Sequence, residues 1–255
     1  MKAQSTVGLS LSFLKKGPYQ AFKPREGQRM EIYAGLTPRQ RAVKIVETLR
    51  KATQGMVEPA ATQIIQKFGQ DPFLVLVSCI LSLRTKDTVS LPASLRLFEI
   101  AKTPQALLAL PLHKIEKIIY PVGFYKTKAR NLHKICDLLL KEFNGKVPKT
   151  EKELLSLPGV GRKTANLVLG EGFNIPAICV DTHVHRISNR LGLVNSTTPE
   201  DTEEQLKKLL PKHYWVEYNR LLVMWGQNIC VPISPFCSRC VLSPICPKIG
   251  VKHRR

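Results

Sequence analysis

The sequence predicts an all-α protein with a metal-binding segment near its C-terminus. From Leu36 onward, apolar residues recur at helical spacing, and no stretch alternates convincingly as a β-strand would. Several helix starts are marked by a capping residue followed by proline, which the first turn of a helix accommodates. Four of the seven cysteines lie within seventeen consecutive residues near the end of the chain.

The helices can be assigned in chain order from these caps. Thr37-Pro38 opens the first helix, and Asp71-Pro72 opens a helix over Phe73 to Leu83 that is apolar nearly all round. A helix without a polar face is expected at the centre of a core. Pro92 is expected to kink or end the segment Thr88 to Ile100, because proline removes a backbone donor.

The second half of the chain continues the helical pattern. A long helix is expected over Lys126 to Phe143, where Asn144-Gly145 stops it. Thr150 and Glu153 have the spacing of a capping box. Further helix starts are predicted at Thr103-Pro104, Thr198-Pro199 and Tyr214.

The charge of the chain points to a polyanionic partner. It carries 39 Lys and Arg against 19 Asp and Glu, a formal net charge of +20. Such an excess repels itself unless a polyanion binds, and nucleic acid is the commonest such partner. A generally soluble basic protein is the alternative. A hydrophobic fraction of 44% excludes general disorder, and no apolar run reaches the ~18 residues of a membrane span.

Residues 1–35 differ from the rest of the chain. The first 25 contain no acidic side chain, and glycines and prolines interrupt any periodicity. The apolar patch Val7 to Leu14 is too short and too rich in serine for a convincing signal sequence. We interpret residues 1–35 as a basic N-terminal extension, either flexible or ordered on DNA.

The clustered cysteines are Cys230, Cys237, Cys240 and Cys246. Four thiolates suit either zinc or an iron–sulfur cluster. Zinc ribbons usually supply two short cysteine pairs, and here only Cys237 and Cys240 form one. The spacing therefore leans toward a cubane cluster and leaves zinc open. Disulfides are disfavoured, because no signal peptide marks the chain for an oxidising compartment.

A glycine-rich turn joins two predicted helices. Leu157-Pro158 ends one helix, Gly159-Val160-Gly161 permits a tight reversal, and the next helix begins with Arg162-Lys163. Backbone N–H groups at such a helix start can approach a phosphate closely. The turn therefore predicts a sequence-independent grip on a DNA backbone; an ordinary turn between helices is the alternative.

Lys163 and Asp181 are candidate catalytic residues. A lysine in a first helical turn opposes the helix dipole, so its neutral amine should be favoured, and a neutral amine can form a Schiff base with a sugar carbon. A plain phosphate counterion is the commoner role. Asp181 follows an apolar run and is also a good N-cap. His183 and His185 are expected on different helix faces, at the surface or facing DNA.

These segments resemble the endonuclease III family of base-excision repair enzymes. The resemblance rests on Leu157 to Asn166, on Val180 to Arg186 and on the four cysteines, and it covers roughly residues 40–248. It implies a two-lobed helix-hairpin-helix DNA glycosylase fold with a C-terminal [4Fe-4S] loop. One domain would be a six-helix barrel over residues 65–175. The other, holding the cluster, would combine residues 36–64 with 176–255.

The resemblance also implies the reaction and the residues that perform it. Lys163 matches the Schiff-base lysine, Asp181 the catalytic aspartate, and the four cysteines the cluster ligands. The expected enzyme is a bifunctional DNA glycosylase and abasic-site lyase that removes damaged bases, oxidised pyrimidines in particular. It is expected to be a monomer on damaged double-stranded DNA. The compartment would be the cytoplasmic nucleoid in a bacterium or archaeon, and the nucleus or mitochondrion in a eukaryote.

The chain departs from the family pattern at two places. Arg84 stands where the family usually has the glutamine that fills the gap left by the flipped base, and arginine has donors but no acceptor. Phe124 matches the apolar wedge on the other side of that gap. The loop Val231 to Phe236 has no Lys or Arg, and the basic segment Lys248 to Arg255 is expected to compensate.

Three other functions compete with this one. An adenine glycosylase shares the fold, but it typically lacks a lysine at the position of Lys163 and has an extra C-terminal domain. A thymine-mismatch glycosylase is closer in size, yet the same lysine argues against it. A catalytically silent, cluster-bearing DNA-binding protein would not need both Lys163 and Asp181.

Overall fold

A computed structural model describes residues 35–255, which form a helical protein. The described residues contain no β-strand, which confirms the predicted all-α class. The predicted N-terminal extension lies outside them. The α-helices are α1 Pro38–Ala52, α2 Ala60–Phe68, α3 Pro72–Ser82, α4 Asp87–Ile100, α5 Pro104–Leu108, α6 Leu112–Ile119, α7 Tyr125–Glu142, α8 Glu151–Leu155, α9 Arg162–Leu167, α10 Thr182–Arg190, α11 Pro199–Leu209 and α12 Trp215–Asn228.

The predicted caps begin these helices. Thr37 forms a complete capping box with Gln40 ahead of α1, and Asp71 Oδ1 accepts backbone N–H groups at the start of α3. Thr103, Thr150 and Thr198 cap α5, α8 and α11 in the same way. A side-chain acceptor at these positions satisfies N–H groups that have no partner within the helix.

The apolar side chains form two hydrophobic cores. The first is built around α3, whose residues from Phe73 to Leu81 are all buried, and it gathers α2 to α9. The second gathers α1 with α10, α11 and α12. The division into domains 65–175 and 36–64 plus 176–255 stays a prediction.

A non-helical segment, residues 177–180, runs from the first core to the second. Ala177 belongs to the first core, whereas Ile178 and Val180 belong to the second. Two buried amides fasten it: Asn166 of α9 donates to the Ile178 carbonyl at 3.0 Å, and Asn219 of α12 donates to the Cys179 carbonyl at 2.9 Å. The residue that follows, Asp181, is therefore fixed relative to α9 and α12.

Pro92 does not end its helix. It lies inside α4, which continues to Ile100. The helix packs against α3, α6 and α2, so tertiary contacts hold it together around the missing backbone donor. No helix among residues 35–255 has both the length and the apolarity to cross a bilayer.

Candidate active site and cysteine cavity

Lys163 and Asp181 line one cleft of about 790 Å³. The cleft opens between α3 and α4 on one side and α9, α10 and α12 on the other. Lys163 lies in the first turn of α9, and Asp181 immediately precedes α10. The fold thus brings together two residues that are eighteen positions apart in the sequence.

Asp181 both caps α10 and carries charge into the cleft. Its Oδ1 accepts the backbone N–H groups of His183 and Val184 at 2.9 and 2.8 Å. Both hydrogen bonds use Oδ1, so Oδ2 is left outside the cap. Capping and a second role at the cleft are therefore compatible in this carboxylate, as the sequence predicted.

The pKa of Lys163 is raised, contrary to the prediction of a favoured neutral amine. Burial lowers this pKa, but the anionic forms of Cys179, Asp181, Cys79 and Asp87 raise it by more. Burial also raises the pKa of the Cys179 thiol, and it raises that of Cys79 to about 12. Cys179 gives the largest raising contribution to the Lys163 pKa, and Asp181 and Asp87 are the carboxylates among the four groups.

The glycine-rich turn has positive φ at one of its two glycines, because Gly161 has φ of −101°. Gly159 has φ of +79°, and a Cβ there would lie 2.7 Å from Nδ2 of Asn131. A Cβ at Gly161 would have no heavy atom within 4 Å, because this side of the turn borders open space. Val160 is buried between them in the first core. The turn therefore presents backbone rather than side chains at the start of α9.

Arg162 is not a free basic residue beside this turn. Its guanidinium donates to Glu203 at 2.8 and 3.1 Å and to Glu204 at 3.1 Å. Glu203 is only 3% exposed, and Lys207 contacts it as well. The contact links α9 to α11 across the two cores. Arg162 therefore stabilises the turn. No local pattern in the sequence predicts its pairing with Glu203 and Glu204.

Arg84 and Phe124 lie outside the lining of the cleft. Each sits in a turn with positive φ, +51° for Arg84 and +56° for Phe124. Both are exposed, and Phe124 keeps 65% of its surface accessible. The two turns touch, because Gly123 N donates to Thr85 Oγ1 at 3.2 Å. The structure thus brings together the two residues expected on either side of a flipped nucleotide.

His183 and His185 are less exposed than the sequence suggested. Both are half-buried. His183 lines the cleft and packs against Gly226, where any Cβ would collide with its ring. His185 Nδ1 lies 2.6 Å from Thr202 Oγ1. Burial lowers the pKa of His183, so its neutral form is favoured in the cleft.

The four clustered cysteines line a second, smaller cavity. Trp225, Phe236 and Leu242 line it as well. Arg190, which is 8% exposed, donates to Cys230 Sγ at 3.4 Å and to the carbonyls of Val231 and Pro232. The backbone N–H of Lys248 donates to Cys246 Sγ at 3.4 Å. Within residues 35–255, no three His, Cys, Asp or Glu side chains form a site for a single metal ion.

The C-terminal segment supplies a charge to the loop between Cys230 and Cys237. Arg255 stacks over Phe236 at 3.9 Å and donates to the Ser234 carbonyl at 3.0 Å. Arg239 lies over the same ring at 5.5 Å. The loop itself has no basic residue, and two arginines from outside it contact the ring of Phe236.

The cleft also contains a charged group that the sequence did not reveal. Arg220 pairs with Glu58 at 2.7 Å, and Glu171 lies within electrostatic reach of both. Burial raises the pKa of Glu171, an effect that Arg220 partly opposes. These residues come from three distant segments and form no motif. Only the tertiary structure places them in the same cleft as Lys163.

Comparison with known proteins gives a consistent result. Residues 77–212 match the HhH-GPD superfamily of base excision DNA repair proteins. Endonuclease III of Thermotoga maritima is 47% identical over 196 residues, which are 75% of this chain and 92% of that protein.

Two solved structures share the fold. A non-covalent endonuclease III–DNA complex is 35% identical with a TM-score of 0.74, covering 84% of this chain and 96% of the other. A trapped endonuclease III–DNA covalent intermediate, an estranged-adenine complex, is also 35% identical, with a TM-score of 0.72 over 84% and 97%. On the family match, the sequence identity and the shared fold, this chain belongs to the endonuclease III family.

Proposed function

We propose that this protein is a base-excision repair enzyme that removes damaged bases from DNA and cleaves the resulting abasic site. The observation that carries the proposal is the meeting of Lys163 and Asp181 in one cleft. The relatives are endonuclease III proteins, one of them captured in a covalent complex with DNA. An amine beside a carboxylate in a cleft suits Schiff-base chemistry on a sugar.

The reaction starts from a nucleotide turned out of the helix, since a glycosidic bond inside the stack is out of reach. The neutral Lys163 amine attacks C1′ of the sugar, the bond from C1′ to the base breaks, and the base leaves with the bonding electrons and is then protonated. The attached amine then loses a proton, the bond from C1′ to O4′ breaks as O4′ gains a proton, and a Schiff base forms between C1′ and Nζ. Loss of a proton from C2′ then expels the 3′ phosphate.

Asp181 has two roles to fill in this scheme. Its carboxylate stabilises the positive charge that develops on the sugar as the base departs. It also favours the ammonium form of Lys163, whose pKa is raised in the cleft. The attacking amine is therefore the minor neutral form at pH 7, and loss of its proton is part of the cost of the first step.

The DNA backbone would be gripped at the turn of Gly159, Val160 and Gly161. The Val160 N–H already donates to the Leu157 carbonyl at 3.1 Å, so the amides of the two glycines would bind the phosphate. The open space beside Gly161 leaves room for a phosphate next to the backbone. Arg84 and Phe124 would fill the duplex around the extruded nucleotide. The net charge of +20 favours every phosphate contact, so binding should fall steeply with salt. The enzyme would work wherever the cell keeps its DNA.

We further propose that the four cysteines hold a [4Fe-4S] cluster. They line a shared cavity, and four thiolates with the Arg190 guanidinium beside Cys230 are a donor set that suits an iron–sulfur cluster. The Arg190 guanidinium beside Cys230 would offset the cluster's negative charge. When bound, such a cluster supplies folding energy and fixes the surrounding loop. Oxidised pyrimidines are the proposed substrates, in line with the family resemblance.

The cluster proposal predicts a brown protein with about four irons per chain. Cys237→Ser should lose the colour and much of the stability, because metal binding and folding are coupled. Iron analysis and the visible absorbance spectrum measure both. A colourless wild-type protein with one zinc would overturn the cluster assignment and leave the glycosylase proposal standing.

The glycosylase proposal is tested by borohydride trapping on duplexes that each contain one oxidised pyrimidine, abasic site or mismatch. Wild type should form a stable protein–DNA adduct. Lys163→Gln should fold and bind DNA, yet trap and cleave at least ~1,000-fold less, because the nucleophile is gone. Lys152→Gln, an exposed lysine of α8, is the matched control. Undiminished trapping by Lys163→Gln would show that another amine reacts.

A further inference from the structure

Lys128 is a buried cation that the reaction above does not use. It lies in the first turn of α7 and is 5% exposed. Its Nζ donates to the Leu81 carbonyl at 2.9 Å, the Leu83 carbonyl at 2.6 Å and Thr85 Oγ1 at 3.1 Å. No Asp or Glu pairs with it in the part of the chain that the structure describes. An unpaired buried lysine is costly, so a compensating role is expected.

The acceptors of Lys128 lie at the end of α3 and in the turn that carries Arg84. Leu81 is in the last turn of the helix, where carbonyl groups lack partners within the helix and a cation is favoured. Arg84 lies between two of the acceptor residues and has a left-handed backbone. Such a conformation is unfavourable for arginine unless its surroundings hold it. Lys128 fixes the residues on both sides.

The same residue also contacts the second turn. The backbone N–H of Lys128 donates to the Phe124 carbonyl at 3.0 Å. Thr85 Oγ1, already bound to Lys128 Nζ, accepts the N–H of Gly123 at 3.2 Å. A Cβ on Gly123 would lie 3.2 Å from both Arg84 O and Thr85 Oγ1, so the two turns have little slack between them.

We propose that Lys128 is a positioning residue that holds the Arg84 turn and the Phe124 turn together as one unit. The two exposed side chains would then enter the duplex at a fixed separation, on either side of the extruded nucleotide. This inference rests on the proposed function and adds to it the residue that sets the geometry of duplex opening. Lys128 acts through Arg84 and Phe124, without touching the reacting atoms.

The test compares duplex with single-stranded DNA, each carrying one abasic site, because only the duplex must be opened. Lys128→Met keeps the apolar stem and removes the three hydrogen bonds. It should cleave the duplex about 10-fold more slowly and the single strand within about twofold of wild type, as loss of positioning predicts. The fluorescence of 2-aminopurine opposite the abasic site should also rise less on binding. Lys134→Met, an exposed lysine of the same helix, is the matched control.

A second variant guards against a folding defect. Gly123→Ala leaves the Lys128 amine in place but pushes the two turns apart by a few tenths of an ångström. It should lower the duplex-to-single-strand ratio in the same direction. Equal losses on both substrates, or an unchanged ratio in both variants, would overturn the role of Lys128. A wild-type protein that traps neither substrate would instead refute the proposed function.

Discussion

Two lysines in different surroundings show how position decides what an amine does. Lys163 lies in a cleft with Asp181 and Asp87, and its pKa is raised. Lys128 lies among carbonyl groups with no acid beside it, and burial lowers its pKa to about 8. The helix dipole alone would have lowered the pKa of Lys163. Neighbouring acidic groups, Cys179 and Asp181 foremost, outweigh the dipole, so the groups that surround the amine matter more than its place in the first turn.

Lys163 and Lys128 therefore have different roles. The cleft holds Lys163 as an ammonium ion that must lose a proton before it attacks. The junction of two turns holds Lys128 as a donor to three oxygens, those of Leu81, Leu83 and Thr85. Replacing a neighbouring carboxylate should therefore change the reactivity of Lys163. Raising the pH, which removes the proton of Lys128, should change the stability of the protein.

After the loss of Lys163 itself, the largest effect is expected from Asp181→Asn. The amide keeps an oxygen that can cap α10, so the fold should survive, but the charge that stabilises the sugar as the base departs is lost. Base release should slow by ~100- to 1,000-fold, and cleavage of preformed abasic sites should fall less. Single-turnover assays on a damaged base and on an abasic site measure the two steps separately. Equal losses in both would show that Asp181 serves the lyase step as much as base removal.

A second effect concerns the pH dependence of trapping by the wild-type enzyme. Because the pKa of Lys163 is raised, the neutral fraction of its amine should rise tenfold for each pH unit over the neutral range. Single-turnover trapping with saturating enzyme should thus increase by ~100-fold from pH 6.5 to 8.5. In Asp181→Asn burial meets less opposition, and the rise should level off at a lower pH. A wild-type plateau below pH 7 would contradict a raised pKa in the DNA complex.

The local features of this fold could be predicted from the sequence, and the long-range ones could not. The helix starts at Thr37, Asp71 and Thr198 could be predicted, because a capping side chain accepts backbone N–H groups only two or three residues later. The turn at Gly159 is likewise a matter of local backbone conformation.

Other residues depend on partners that only the folded chain supplies. In the sequence, Arg162 is part of a basic segment suited to DNA binding. In the structure, its guanidinium is instead paired with Glu203, forty-one residues later. The direction of the pKa shift at Lys163 depends on side chains from several distant segments, with Cys179 and Asp181 contributing most. Pro92 remains helical because packing against α3, α6 and α2 overrides its local preference. No spacing rule contains that information.

The smallest effect expected is a change in stability with pH that Lys128 alone contributes. Its pKa is about 8 in the folded protein and about 10.5 in the unfolded chain, so the unfolded chain binds more protons between these values. Stability must then rise with pH across that window, because each deprotonation relieves the cost of burying a charge. From pH 7.5 to 9.5 wild type should gain about 2 kcal/mol relative to Lys128→Met. Urea unfolding midpoints of both proteins at the two pH values measure this difference, and all other titrating groups are common to both. A gap that stays constant would mean that the Lys128 amine titrates as it does in water, and that the junction of the two turns is open to solvent.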